Sequence, residues 1–88
     1  MLLRVRGDSM KDAGLLEGDL VLVLKGAPAK AGDIVVAIVD NQFTVKYLAQ
    51  DKRGGFFLRP GNVAYEPIRA KSDLELYGRV VGALRKYS

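Results

Sequence analysis

The stretch from Ile34 to Asp40 (IVVAIVD) limits what this chain can become more than any other. It is apolar at nearly every position, as for a strand covered on both faces. Asp40-Asn41 is a turn signal, and Gln42 to Ala49 (QFTVKYLA) follows at once, so the two runs are expected to pair as a hairpin. The remaining runs are also short. Leu2 to Arg6 reads as extended, Asp19 to Lys25 (DLVLVLK) as a strand, and Phe56 to Arg59 as a strand behind Gly54-Gly55. Pro60, Gly61, Asn62 and Pro67 mark an irregular stretch with little room for a helix. Leu74 to Leu84 carries β-branched residues, with Gly78 and Gly82 weakening a helical reading. The helix candidate is one or two turns after Ser9. The expected fold is mostly β, with short strands in a compact sheet or partial barrel. At 88 residues the expectation is a single domain, 1–88, of modest stability.

Composition then narrows the chemistry. Hydrophobic residues at 49% and charged residues at 27% suit a soluble globular domain and argue against general disorder. With no cysteine there is no disulfide and no thiolate metal site. With no histidine, a Ser-His-Asp triad and an ordinary histidine-bearing zinc site are excluded as well. No metal or cofactor is expected. Any hydroxyl nucleophile must take a lysine or a carboxylate as its base.

The formal charge of +4 raises nucleic-acid binding as a possibility. Yet the cations are scattered, with Lys52-Arg53 and Arg85-Lys86 as the adjacent pairs, and aromatic residues are only 8%. A solvated mixed surface is the plainer reading. No apolar run approaches the ~20 residues needed to span a bilayer, and Met1 to Arg6 lacks a signal-peptide core. A soluble, cytoplasmic protein without a membrane partner is expected.

Two residues can be read in two ways. Ser9, in Arg6-Gly7-Asp8-Ser9-Met10-Lys11-Asp12, has the form of a helix N-cap, with Asp12 in the capping-box position. The same glycine-introduced turn can also expose a serine hydroxyl beside outward-pointing N–H groups, the donors an oxyanion needs. Strand alternation places Phe43, Val45 and Tyr47 on one face and Thr44, Lys46 and Leu48 on the other. Lys46 is then either a solvated lysine or one held among apolar neighbours and kept neutral. As a base near pH 7 it needs its free pKa of ~10.4 lowered by ~3, which full burial can supply. Thr44, two residues away on the same face, is placed to donate a hydrogen bond to a neutral amine.

Three segments in order carry a resemblance. Arg6-Gly7-Asp8-Ser9-Met10, then Glu17-Gly18-Asp19-Leu20-Val21, then Phe43-Thr44-Val45-Lys46-Tyr47-Leu48 resemble the peptidase domain shared by LexA repressors, UmuD-type mutagenesis proteins and phage repressors, the S24 peptidases. Gly32 to Ala37, Arg59-Pro60-Gly61-Asn62 and Pro67-Ile68 extend the match over nearly all of the chain, and 37 residues separate Ser9 from Lys46. The resemblance implies Ser9 as nucleophile, Lys46 as general base and the backbone N–H groups of Asp8 and Ser9 as oxyanion hole, with Thr44 and Met10 in support. It also implies a strongly curved all-β fold of antiparallel sheets and a homodimer built partly from the C-terminal segment. The reaction it implies is cleavage of an Ala-Gly or Cys-Gly bond in an N-terminal stretch of the same chain, promoted by the RecA filament in the SOS response to DNA damage.

The sequence departs from that pattern in two respects. No Ala-Gly or Cys-Gly pair precedes Ser9, while Ala13-Gly14 and Ala31-Gly32 fall in expected turns downstream. A helix-turn-helix half is absent too, so contact with DNA would run through a missing N-terminal domain. Cleavage of a partner chain, or an origin as an excised domain, is expected rather than self-cleavage by residues 1–88. Type I signal peptidase also combines Ser-Met with a lysine base, but would want a membrane anchor and a second basic motif near the lysine. From another class, a non-catalytic repressor dimerisation module is the alternative. Burial of Lys46 within reach of Ser9 separates it from the peptidase.

Overall fold

The computed structural model describes residues 1–69 and 75–87. Among the described residues six strands form one sheet: β1 (Leu2–Arg4), β2 (Leu20–Lys25), β3 (Ile34–Val39), β4 (Gln42–Gln50), β5 (Phe56–Arg59) and β6 (Glu75–Leu84). Their spatial order is β1-β2-β6-β3-β4-β5, and every pairing is antiparallel. The mostly-β expectation is met, and the strands fall on the runs read from sequence. Leu74, the expected start of the last strand, lies outside the described residues.

The apolar β3 run is explained by its place between β6 and β4. Val36 and Val45, paired across the ladder, enter one buried cluster with Val5, Met10, Leu15, Val21 and Val23. The neighbouring residues Val35 and Ala37 enter a second cluster with Leu48 and Leu58. Successive side chains of a strand point to opposite faces, so β3 is covered on both sides. By contrast, β2 alternates: Val21 and Val23 are buried while Leu22 and Leu24 are exposed.

The β3–β4 turn is Asp40-Asn41, and both residues have positive φ (51° and 63°). That is the backbone of the two-residue hairpin turns whose twist suits antiparallel strands, and Asp and Asn tolerate it better than other side chains. Two register shifts, between Leu22 and Val23 and between Val36 and Ala37, interrupt the ladders on either side of β6. Bulges of this kind bend and twist a sheet. At Gly78 a Cβ would stand 2.6 Å from the Leu24 carbonyl oxygen, so the glycine serves a close approach of two backbones.

The helix expected after Ser9 is a single 3-10 turn, Lys11–Ala13. Its N-cap is Met10, with no side-chain cap bond, and Gly14 closes it in the left-handed conformation. The capping reading of Ser9 and Asp12 is therefore corrected. A one-turn helix has few orphan N–H groups to cap, and the Ser9 hydroxyl is engaged elsewhere.

Candidate active site

The turn that presents Ser9 is rooted by the residue after it. Met10 is 1% exposed and sits inside the first apolar cluster, and its Sδ accepts a hydrogen bond from Gly61 N–H at 3.1 Å. Burying a side chain of this size contributes ~2 kcal/mol, so Met10 pins the turn against the core. On the other side Gly7, at φ +72°, donates its N–H to Glu17 Oε1. Ser9 is thus held between a buried anchor and a glycine bend.

Ser9 opens into a cleft of about 430 Å³. The Leu3-to-Arg6 segment forms one wall and the Gln42-to-Lys46 half of β4 forms the other. Lys46 is buried, at 8% exposure, and its cross-strand neighbour is Val35 of the second cluster. Its Nζ lies 2.9 Å from Ser9 Oγ, 2.8 Å from Thr44 Oγ1 and 3.1 Å from the Val45 carbonyl oxygen. Among the described residues no carboxylate pairs with it.

Those partners decide what the amine can do. Burial pushes the Lys46 pKa down from its ordinary value, because desolvation penalises the ammonium. Three neutral oxygens compensate a positive charge far less than a carboxylate would. A neutral amine keeps two N–H donors and one lone pair, and Val45 O can only accept. Serine and threonine hydroxyls can donate or accept, so the Ser9 O–H can point at the lone pair. That is the arrangement in which a lysine removes a serine proton.

Donors also stand ready at the turn. Among the described residues the N–H groups of Asp8 and Ser9 make no hydrogen bond within the protein. Of the residues singled out from sequence, Ser9, Met10, Thr44 and Lys46 line this one cleft, and Asp8, singled out for its backbone N–H, directly precedes Ser9. Lys46 does not face solvent, which removes the observation that would have favoured a purely assembling module. No three acidic side chains among the described residues gather in a group fit to hold a metal ion.

A protein-family model described as Peptidase S24-like matches residues 1–81. The chain belongs to this family. Among curated relatives, the LexA repressor of Alcanivorax borkumensis is 48% identical over 85 residues, covering 96% of this chain and 41% of that protein. The LexA repressor of Shewanella piezotolerans is 48% identical over 88 residues (96% and 42%), and that of Acetivibrio thermocellus 42% identical over 85 (97% and 39%). The chain thus spans about two fifths of the length of these repressors. Among the described residues no helix is long and apolar enough to cross a membrane.

Two residues that hold the Ser9 turn, Asn62 and Tyr65, and one pair outside the cleft, Asp19 and Arg85, had no role assigned to them from the sequence. Asn62 donates its Nδ2–H to the Asp8 carbonyl at 2.9 Å, and Tyr65 donates its hydroxyl to Asp8 Oδ1. Asp19, 4% exposed, accepts from Leu16 N–H at 2.8 Å and pairs with Arg85. The signal for Asn62 was a loop polar residue amid Pro and Gly. Nothing local pointed to Arg85, which meets Asp19 across 66 residues of sequence.

Proposed function

We propose that this S24-like domain is a serine endopeptidase in which Ser9 is the nucleophile and Lys46 the general base. The observation that carries the reading is a buried lysine, without a carboxylate partner, 2.9 Å from a serine hydroxyl in an open cleft. Neutral Lys46 takes the Ser9 proton as Oγ attacks a peptide carbonyl. The N–H groups of Asp8 and Ser9 receive the oxyanion, a form of stabilisation that contributes ~10²–10³ in rate per donor. The Lys46 ammonium then protonates the departing amine, and a water molecule, deprotonated in turn by Lys46, releases the acyl group from Ser9.

The substrate is a peptide segment bearing an Ala-Gly or Cys-Gly bond, in the same polypeptide upstream of residue 1 or in a partner chain. The parent is a LexA-type repressor or a mutagenesis protein of the SOS response, acting in the cytoplasm, with RecA as trigger and DNA contact through a separate N-terminal half. A homodimer is supported by the exposed apolar side chains Leu2, Leu22, Leu24, Val81 and Leu84 on β1, β2 and β6. Equilibrium sedimentation checks it, and a monomer at all accessible concentrations would refute it.

The direct test supplies an Ala-Gly peptide in trans at mildly alkaline pH. Cleavage by the native chain, lost in both Ser9→Ala and Lys46→Ala, is the expected result. Hydrolysis that survives Lys46→Ala would remove the lysine from its role.

A further inference from the structure

We infer that Asn62 is a positioning residue that aims the Ser9 N–H into the oxyanion site by holding the Asp8 carbonyl. The inference rests on the Ser9–Lys46 reading and adds a residue to its machinery. Its basis is the geometry of one peptide plane. The Asp8 carbonyl and the Ser9 N–H belong to the same peptide group, which is trans, so they point in opposite directions. Fixing the oxygen on one side fixes the N–H on the other.

The oxygen is held by two donors, Asn62 Nδ2–H at 2.9 Å and Lys11 N–H at 3.2 Å. Asn62 is 6% exposed, and its own carbonyl accepts the Ala64 N–H at 3.0 Å, which sets the amide orientation. The loop carrying it is locked to the same turn at further points. Gly61 donates to Met10 Sδ and accepts from Asp12 N–H at 2.8 Å. A Cβ at position 61 would stand 3.4 Å from Met10 Cα and Ala13 N, so the loop backbone lies directly on the turn. Asn62 therefore reaches Asp8 from a rigid base, as a residue must if it is to fix a donor's direction.

The consequence is specific to the transition state. A tilted Ser9 N–H weakens the bond to the tetrahedral oxyanion while leaving the planar substrate carbonyl almost as well bound. The test compares the native chain with Asn62→Ala and Asn62→Asp on two probes, an Ala-Gly peptide and a peptidyl boronic acid ending in alanine. In the boronate adduct Ser9 Oγ bonds to boron, its proton passes to Lys46, and a boron hydroxyl takes the oxyanion position.

The expected result is a kcat lower by ~10- to 100-fold, with KM changed by less than ~2-fold because ground-state binding is spared. The boronate inhibition constant should rise in step with the loss in kcat, while the alkaline midpoint of the pH profile stays in place. Asn62→Asp keeps an oxygen for Ala64 N–H and so preserves the loop, but turns a carboxylate oxygen on the Asp8 carbonyl. It stands in if the alanine variant does not fold. A native kcat in the variants, or a lower kcat with unchanged boronate affinity, overturns the inference. A reduced folded fraction with native turnover per boronate-titrated site overturns it too, in favour of a merely structural role. Inertness of the native chain toward both probes would instead sink the dyad reading, and this inference with it.

Discussion

Lys46 and Arg85 are both basic and both held by several oxygens, yet the fold treats them in opposite ways. Arg85 lies on Asp19 with two contacts, Nε to Oδ1 at 2.8 Å and an Nη to Oδ2 at 2.7 Å, and also donates to Gly14 O. Its charge is answered by a charge. Lys46 is more deeply buried and meets only two hydroxyls and a carbonyl. A guanidinium never gives up its proton in a protein, and its fork matches a carboxylate. An amine that must shed a proton needs burial without a counter-ion. The molecule clamps its C-terminal end to the Gly14–Asp19 loop with the first kind of cation and keeps the second kind for its cleft.

Exchanging the two chemistries is the harshest way to break this contrast. Lys46→Arg places a permanent charge in the cleft with no carboxylate to meet it. Peptide cleavage should fall by ~10⁴-fold or more, and the melting temperature should drop as well, since an unpaired buried charge is costly. Lys46→Met should abolish cleavage equally while leaving the melting temperature unchanged or raised. Cleavage retained in the arginine variant would show that no proton leaves this side chain.

The clamp answers to a different measurement. Asp19→Asn removes the charge under Arg85 and should lower the melting temperature by on the order of 5 °C. The pH dependence shares this origin. The Arg85 guanidinium and the Leu16 N–H hold the Asp19 carboxyl down at about 2, from an ordinary 3.8. Its contribution to stability is therefore fully present above pH 3.8 and lost as pH falls toward 2, because the unfolded chain binds the proton first. Lys46 gives the same sign in a different window, although here it is the charged form that burial penalises. Its pKa is lowered from 10.5, so the folded chain gives up the proton before the unfolded one, and stability rises with pH below 10.5. Cleavage should rise over the same range, to a midpoint below 10.5. A thermal-melt series across pH and a pH–rate profile check the two sides separately.

The two regions also differ in how far the sequence exposes them. The hairpin around Asp40-Asn41 and the burial of β3 were legible because apolar runs and turn residues are local signals. Ser9 and Lys46 were legible as a pair only through ordered segments shared with a known family. Taken singly, each fitted a plainer role. The capping role expected of Ser9 and Asp12 failed because the helix is one 3-10 turn and the hydroxyl turns to Lys46. Asn62–Asp8 and Asp19–Arg85 join residues 54 and 66 positions apart. The Asp19–Arg85 pair follows from the strand order, which sets β6 beside β2, and no local pattern encodes either pair.

The finest test of the contrast lies at Thr44. Its hydroxyl is 2.8 Å from Lys46 Nζ, and Thr44→Val removes that oxygen at nearly constant shape. The ammonium loses more than the neutral amine, since a hydrogen bond to a charged group is worth about twice a neutral one. The alkaline midpoint of cleavage should therefore move down, by up to ~1 pH unit if the bond contributes ~1.5 kcal/mol. The plateau rate should fall a few-fold, because the amine loses one of the contacts that aim its lone pair at Ser9. Near the midpoint the two effects oppose each other, and only a full profile separates them. An upward shift would mean that Thr44 favours the neutral amine by donating to it. In that case the serine proton and the threonine proton compete for one lone pair, and Thr44→Val should raise the plateau instead.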